Sequence, residues 1–368
     1  MPELPEVERA ANLIRTLAQG KTVAKVDTKE DTIVFSGVTN VEFANEVTGR
    51  RVKDVKRYGK VFYIELEGEG RMPVLHFGMT GMLQVKGHTP IHYREAPKKQ
   101  SSDWPPKFMK FILHIKPDDS DTVTELAFLD ARRLGRIRLC ASPLSEPPIS
   151  ALGFDPILSM PQLQDFSIAV HKRSCPIKAL LLDQSFSAGV GNWVADEILY
   201  HARIHPERRC NTLDDNEMKA LHEQMIAICE FAVSVNADDS KFPKDWLFKH
   251  RWGKGKKLKH TLTLLSGEPA TIKWVTVGGR TSAYVEELQR PMKNTGEVSR
   301  TKEVKTLDSV TTQIDNEEES DLTSLEGSEP ESTTPVLRKS KRKRTTVSSP
   351  PPNPTKEITA RRTRPRQQ

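Results

Sequence analysis

The chain opens Met-Pro-Glu-Leu-Pro-Glu-Val-Glu, and its chemistry begins at the second residue. Once Met1 is removed, Pro2 presents a secondary amine in place of a proline amide. An α-amino group titrates near ~7.7–8.0, well below lysine. A useful fraction is therefore unprotonated at neutral pH and able to attack a carbonyl carbon. Two carboxylates, Glu3 and Glu6, follow at once. A nucleophilic amine beside an acid/base pair points to covalent Schiff-base chemistry. The plainer reading is that Pro2 only directs Met1 removal, while Glu3, Glu6 and Glu8 favour the positive end of a helix dipole. Agreement with other segments decides between the two.

Four internal segments bear on that choice. Arg57-Tyr58-Gly59-Lys60 precedes a strand-like run and reads as a tight turn presenting Lys60; alone, it is an ordinary solvated hairpin lysine. His76-Phe77-Gly78-Met79-Thr80-Gly81-Met82-Leu83 sets glycines around Met79 at a strand end. Such a methionine usually packs inward, but an exposed one could act as a wedge between bases. Asp130-Ala131-Arg132-Arg133-Leu134-Gly135-Arg136 puts two arginines and Leu134 at a loop tip, which suits insertion into a groove and suits an ordinary basic hairpin equally. Ala188-Gly189-Val190-Gly191-Asn192-Trp193 opens a helix that offers backbone N–H groups and the Asn192 amide to an anion. His201 and His205, four apart, have no further ligand pair, so a helix-end surface or capping role is expected rather than a metal.

The elements that must position these residues are legible in outline. Val7, Ala10, Ala11, Ile14 and Leu17 form a helical stripe over 5–19, with Pro5 in the first turn and Gly20 as the stop. From Lys21 to Cys140, strand-like runs at 61–66, 74–77, 108–115 and 136–139 alternate with Gly, Pro and Asp and predict a β-sandwich. Residues 94–106 read as a loop insertion and 143–148 as a linker. Helical patterns follow at 160–170, 176–183, 192–201 and 214–235, then strands at 271–277 and 282–287. The fold class is α+β, with domains expected at 1–142, 143–240 and 241–291 and a disordered tail at 292–368.

Composition narrows the class. The chain has 368 residues, a formal charge of +7 and a pI near 9.1, enough for two or more domains. No apolar run reaches membrane-spanning length, and the start lacks a secretory pattern. The cysteines, Cys140, Cys175, Cys210 and Cys229, form no Cys-x-x-Cys pair, which fits a reducing, intracellular compartment. Residues 294–337 hold three basic against eleven acidic residues, and 338–368 hold eleven basic against one acidic. The two halves nearly cancel, so the preceding region is itself basic and suits a polyanionic partner.

Taken together, the Pro-Glu-Leu-Pro-Glu-Val-Glu start, the Gly-Val-Gly-Asn helix and Gly278-Gly279-Arg280 resemble the formamidopyrimidine-DNA glycosylase / endonuclease VIII family, over Pro2 to about Arg290. The resemblance implies an N-terminal helix and β-sandwich, a helix–two-turn–helix domain, and a finger hairpin, with damaged double-stranded DNA in the cleft. It implies that Pro2 attacks C1′, that Glu3 is the acid/base, and that Glu6 supports the pocket. It implies that Lys60 meets phosphate near the lesion, that His76 lies in the DNA-binding surface, and that Asn192 and Arg280 clamp phosphates. Met79, Arg132 and Leu134 would fill the hole left by the extruded base. It further implies a monomer without a cofactor.

Bacterial members close their finger with two Cys-x-x-Cys pairs. Here Val285 and Leu288 stand where the last pair would be, the pattern of a zincless finger, so no zinc is expected. The loop beginning Arg251-Trp252-Gly253-Lys254 is short and basic, unlike the region that caps 8-oxoguanine in bacterial members, and the resemblance to zincless members implies formamidopyrimidines, further-oxidised guanine and abasic sites as substrates in preference to 8-oxoguanine. Oxidised-pyrimidine excision, or damage binding with weak lyase activity, are the alternative readings. Lys339-Ser340-Lys341-Arg342-Lys343-Arg344 is a basic cluster of nuclear-import type or a DNA-binding tail, and a nuclear location is expected.

Overall fold

A computed structural model describes residues 2–88, 103–252 and 262–291. Helix α1 (Leu4–Ala18) begins where the Glu6 carboxylate accepts the Glu3 backbone N–H at 2.9 Å. Its buried face is divided. Leu4 packs into the core of the later helices, whereas Val7, Ala10, Ala11 and Ile14 pack into the sandwich. One helix thus spans both halves of the molecule, and its first turn lies at their seam.

Eight strands form the sandwich: β1 (Thr22–Thr28), β2 (Val52–Tyr58), β3 (Val61–Leu66), β4 (Met72–His76), β5 (Met82–Val85), β6 (Met109–Lys116), β7 (Thr124–Leu129) and β8 (Arg136–Cys140). They make two antiparallel sheets, ordered β1-β6-β7-β5 and β2-β3-β4-β8. Phe62 and Ile64 of one sheet meet Phe111, Leu113 and Phe128 of the other in a common core, as aligned sandwiches require. One element differs from the strand-only reading of this region. Residues Asn40–Val47 form helix α2. Its signal was the Thr39-x-x-Glu42 capping box: the Thr39 hydroxyl accepts the Glu42 N–H at 3.1 Å and Glu42 accepts the Thr39 N–H at 2.9 Å. Phe43 then starts a ring ladder through Phe111, Phe128 and Phe77, with centroids 5.1–5.5 Å apart. That ladder anchors the turn after β4.

The second half is helical: α3 (Leu163–His171), α4 (Ile177–Leu182), α5 (Asn192–His201) and α6 (Asp215–Ser234). Helix α5 is central, with every residue from Trp193 to Tyr200 buried. Strands β9 (Ile272–Val277) and β10 (Arg280–Val285) form a hairpin. Its two-residue turn, Gly278-Gly279, has both φ positive, +57° and +70°, the turn type that matches strand twist. Ile272, Ala283 and Val285 join Tyr200 and Leu247 in a small core, with Leu288 packed against it. Val285 and Leu288, the two positions singled out in the sequence, thus stand in apolar packing.

His205 differs from its surface expectation. It is buried, its Nδ1 accepts the Glu207 N–H at 3.2 Å, and its ring meets Tyr284 edge-on. Among the described residues no helix is long and apolar enough to cross a membrane, and no cluster of three metal-binding side chains occurs. Most of the expected 94–106 insertion, the basic loop from Gly253 and the 292–368 tail with its 339–344 cluster lie outside the described residues.

Candidate active site at the seam

The chemistry is assembled where α1 meets α5. The Glu3 carboxylate accepts the backbone N–H groups of Trp193 and Val194, both at 3.0 Å. These belong to the first turn of α5, whose donors have no partner within the helix and carry the positive end of its dipole. Glu3 is thus fixed by the other half of the molecule rather than by its own helix. The close approach demands glycine at 191, where a Cβ would stand 2.2 Å from the Glu3 carboxyl carbon. The backbones are also joined directly, Leu4 N–H donating to the Gly189 carbonyl at 3.1 Å. Pro2 is buried beside Glu3.

Glu6 sits one helical turn on. Its Oε2 accepts the Glu3 N–H and its Oε1 accepts the Trp193 indole N–H at 3.1 Å. Parts of the residue reach the surface, but burial of its carboxyl, followed by repulsion from Glu3, pushes its pKa up to about 7. A proton therefore moves on or off Glu6 near neutrality, as acid/base catalysis needs.

Lys60 is not presented to solvent as the sequence implied. It is buried, and its Nζ donates to the Val190 carbonyl at 3.0 Å. Burial, aided by repulsion from Arg280, holds its pKa below the usual lysine range, against the pull of Glu3 and Glu6. Its turn is plugged into the helical half. Gly59 (φ +57°) leaves no room for a Cβ against Ala188, and Asp155 accepts the Gly59 N–H at 2.8 Å while pairing with buried Arg57. His76, across the sheet from Val61, accepts the Gly78 N–H on Nδ1 at 3.1 Å. Burial, then the positive charge of Lys60, lowers its pKa to about 4, so it is neutral and its remaining proton lies on Nε2.

One cavity of about 440 Å³ collects Glu3, Lys60, Met79, Asn192 and Arg280. The Asn192 amide donates to the Thr281 carbonyl at 3.1 Å and accepts from Lys178 Nζ at 2.7 Å, which ties α5 to the hairpin strand carrying Arg280. Arg132 and Leu134 do not line this cavity. They are exposed on a neighbouring turn, with Leu134 39% accessible. Buried Asp130 binds that turn to the Met79 turn: it accepts from the Thr80 hydroxyl at 2.8 Å and from the N–H groups of Arg132 (3.2 Å) and Gly135 (2.6 Å). The three expected gap-filling residues thus stand on one coupled structure.

Arg251 and Trp252, which begin the basic loop singled out in the sequence, also line the cavity, and so does Gln184, which escaped the sequence reading. Asp196 is a buried hub that accepts Lys178 Nζ at 2.5 Å, Arg251 Nη2 at 2.5 Å and the Ala283 N–H at 3.1 Å. For Asp196 and Lys178 the only sequence signal was charge at interior positions of buried helices, which an isolated helical pattern does not reveal.

Known proteins match this architecture. The formamidopyrimidine-DNA glycosylase N-terminal domain matches residues 1–137, and the formamidopyrimidine-DNA glycosylase H2TH domain matches residues 152–244. A formamidopyrimidine-DNA glycosylase of Arabidopsis thaliana is 38% identical over 290 residues, covering 79% of this chain and 71% of that protein. One from Heliobacterium modesticaldum is 34% identical over 237 residues, covering 64% and 79%. The crystal structure of the Lactococcus lactis enzyme non-covalently bound to DNA containing an AP site superposes with a TM-score of 0.61 at 21% identity, over 78% of this chain and 100% of that one. With both family domains matched and a relative of this identity, the chain belongs to the formamidopyrimidine-DNA glycosylase family.

Proposed function

We propose that this protein is a base-excision-repair DNA glycosylase for oxidised purines that also cleaves the abasic product. The carrying observation is the Glu3 carboxylate seated on the first turn of α5 in a cleft shared with Lys60, Asn192 and Arg280, with Pro2 next to it. After Met1 removal, the Pro2 nitrogen bonds C1′ as the bond from C1′ to the damaged base breaks, and the base leaves with a proton. Opening of the sugar ring puts a proton on O4′ and leaves an iminium between Pro2 and C1′. That cation is an electron sink. Loss of the C2′ proton expels the 3′ phosphate, and loss of the C4′ proton then expels the 5′ phosphate. Water finally releases the sugar fragment from Pro2.

Glu3, held rigidly, takes and returns the sugar protons. Glu6, titrating near neutrality, serves as their reservoir. Lys60, more easily deprotonated than an ordinary lysine, exchanges protons at the same place. Asn192 and Arg280 hold phosphates by hydrogen bonding and charge. Extruding a base costs a few kcal/mol, and Met79, Arg132 and Leu134 offset the lost stacking. Formamidopyrimidines and further-oxidised guanine are the expected bases. A monomer acting in the nucleus is our reading of the remaining sequence, resting for the latter on residues 339–344.

Borohydride trapping tests this. Untagged protein should form a covalent adduct on duplexes carrying guanine-derived lesions, and Pro2→Gly should not. Adducts on oxidised pyrimidines alone would move the substrate class. Adducts surviving in Pro2→Gly would transfer the nucleophile to a lysine.

A further inference from the structure

The turn that carries Arg132 and Leu134 contains an unexplained conformation. Arg133, between them, has φ +58°, a left-handed backbone that a non-glycine residue holds only when its surroundings compel it. The compelling contact is a two-pronged ion pair. Arg133 Nε reaches Asp31 Oδ2 at 3.0 Å and Arg133 Nη2 reaches Asp31 Oδ1 at 3.0 Å. Asp31 lies 102 positions earlier in the chain, in the loop after β1, and is 8% exposed.

Asp31 is itself firmly held. It accepts Lys110 Nζ from β6 at 2.8 Å and the backbone N–H groups of Ile33 and Val34, each at 3.2 Å. Burial opposes its charge, but the hydrogen bonds from Arg133 and Lys110 keep its carboxyl well below the usual range. The consequence for the turn is directional. The Arg133 guanidinium is turned back onto Asp31 of the sandwich, although 49% of that side chain stays accessible, while the flanking Arg132 and Leu134 are exposed without that tether. Asp130 fixes the base of the turn, and Asp31 fixes its tip.

We propose that Asp31 is a positioning residue that sets the stance of Arg132 and Leu134, and through them the discrimination of the base opposite the lesion. The inference rests on the glycosylase reading above. An arginine fork is suited to this task because its planar donors fix orientation as well as distance.

Two variants test it. Asp31→Asn weakens the fork and the Lys110 contact together. Arg133→Ala removes the fork but leaves the Asp31–Lys110 pair, so it guards against loss of folding. Each is assayed for excision on lesion duplexes with each of the four opposite bases, and for trapping on single-stranded abasic DNA, which has no opposite base. Both variants should lower duplex excision by about ten- to a hundred-fold, the scale of a small misplacement of substrate, and compress the ratio between best and worst opposite base. Single-stranded trapping should stay within about two-fold of the parent, because the proline chemistry is untouched. An unchanged opposite-base ratio in Arg133→Ala overturns the proposal. A parallel fall on single strands also overturns it, making Asp31 a general structural residue. Failure of the parent protein to trap at all would instead strike the glycosylase reading on which it rests.

Discussion

Helix α5 holds two parts of the cleft by different physics. At its first turn it holds the chain's N-terminus through backbone N–H groups and a glycine contact too tight for any Cβ. Further along, Asp196 holds the hairpin through buried charges, Lys178 and Arg251, and one backbone N–H. The first joint depends on absence of a side chain, so its failure is steric. The second depends on charge balance, so its failure is electrostatic. The lesson is that the Glu3 carboxylate is placed by an inflexible contact, while the hairpin carrying Arg280 hangs on exchangeable side chains.

The sharpest way to break that comparison is Gly191→Ala. Its Cβ would displace Glu3, and single-turnover excision should fall by at least about a hundred-fold with the circular dichroism spectrum retained. Activity within ten-fold of the parent would mean that the seam yields. Next comes Asp196→Asn. Leaving Lys178 and Arg251 buried without their partner should cost about 3–5 kcal/mol, read by denaturant unfolding, and should weaken lesion-DNA binding. A stability loss no greater than that of an exposed ion pair would deny the hub.

A smaller effect is expected from Val285→Ser. It places a hydroxyl in the little hairpin core and should cost about 2–3 kcal/mol, with weaker DNA binding and unchanged chemistry once bound. The pH dependence is subtler. Glu6 has a folded-state pKa raised from 4.5 to about 7, so its favourable contribution is complete below about pH 4.5 and is lost as pH rises through 7. Glu6→Gln should therefore raise the melting temperature more at pH 8 than at pH 5, and should remove any limb near pH 7 from the single-turnover rate profile. Equal effects at both pH values would place the titration elsewhere. Finally, a zinc chelator should leave both the melting temperature and trapping unaltered, since the hairpin is held by apolar packing of Ile272, Ala283, Val285 and Leu288.

Much of this was written locally in the chain. Period-3.6 and period-2 patterns placed α1, α5, α6, four of the eight sandwich strands (β3, β4, β6 and β8) and the hairpin, because each element buries one face and its spacing follows from backbone geometry. The motif strings that hold Glu3, Lys60, Met79, Asn192 and Arg280 named these residues of the cleft in advance, though not Gln184. Helix α2 was missed because eight residues offer little periodicity, although its capping box was visible. Tertiary structure alone decided the rest. Burial of Lys60, the near-neutral titration of Glu6, the seating of Glu3 on a helix about 190 residues later, and the grip of Asp31 on Arg133 all arise from groups distant in sequence. Desolvation and charge proximity depend on which surfaces meet, and no local pattern records that.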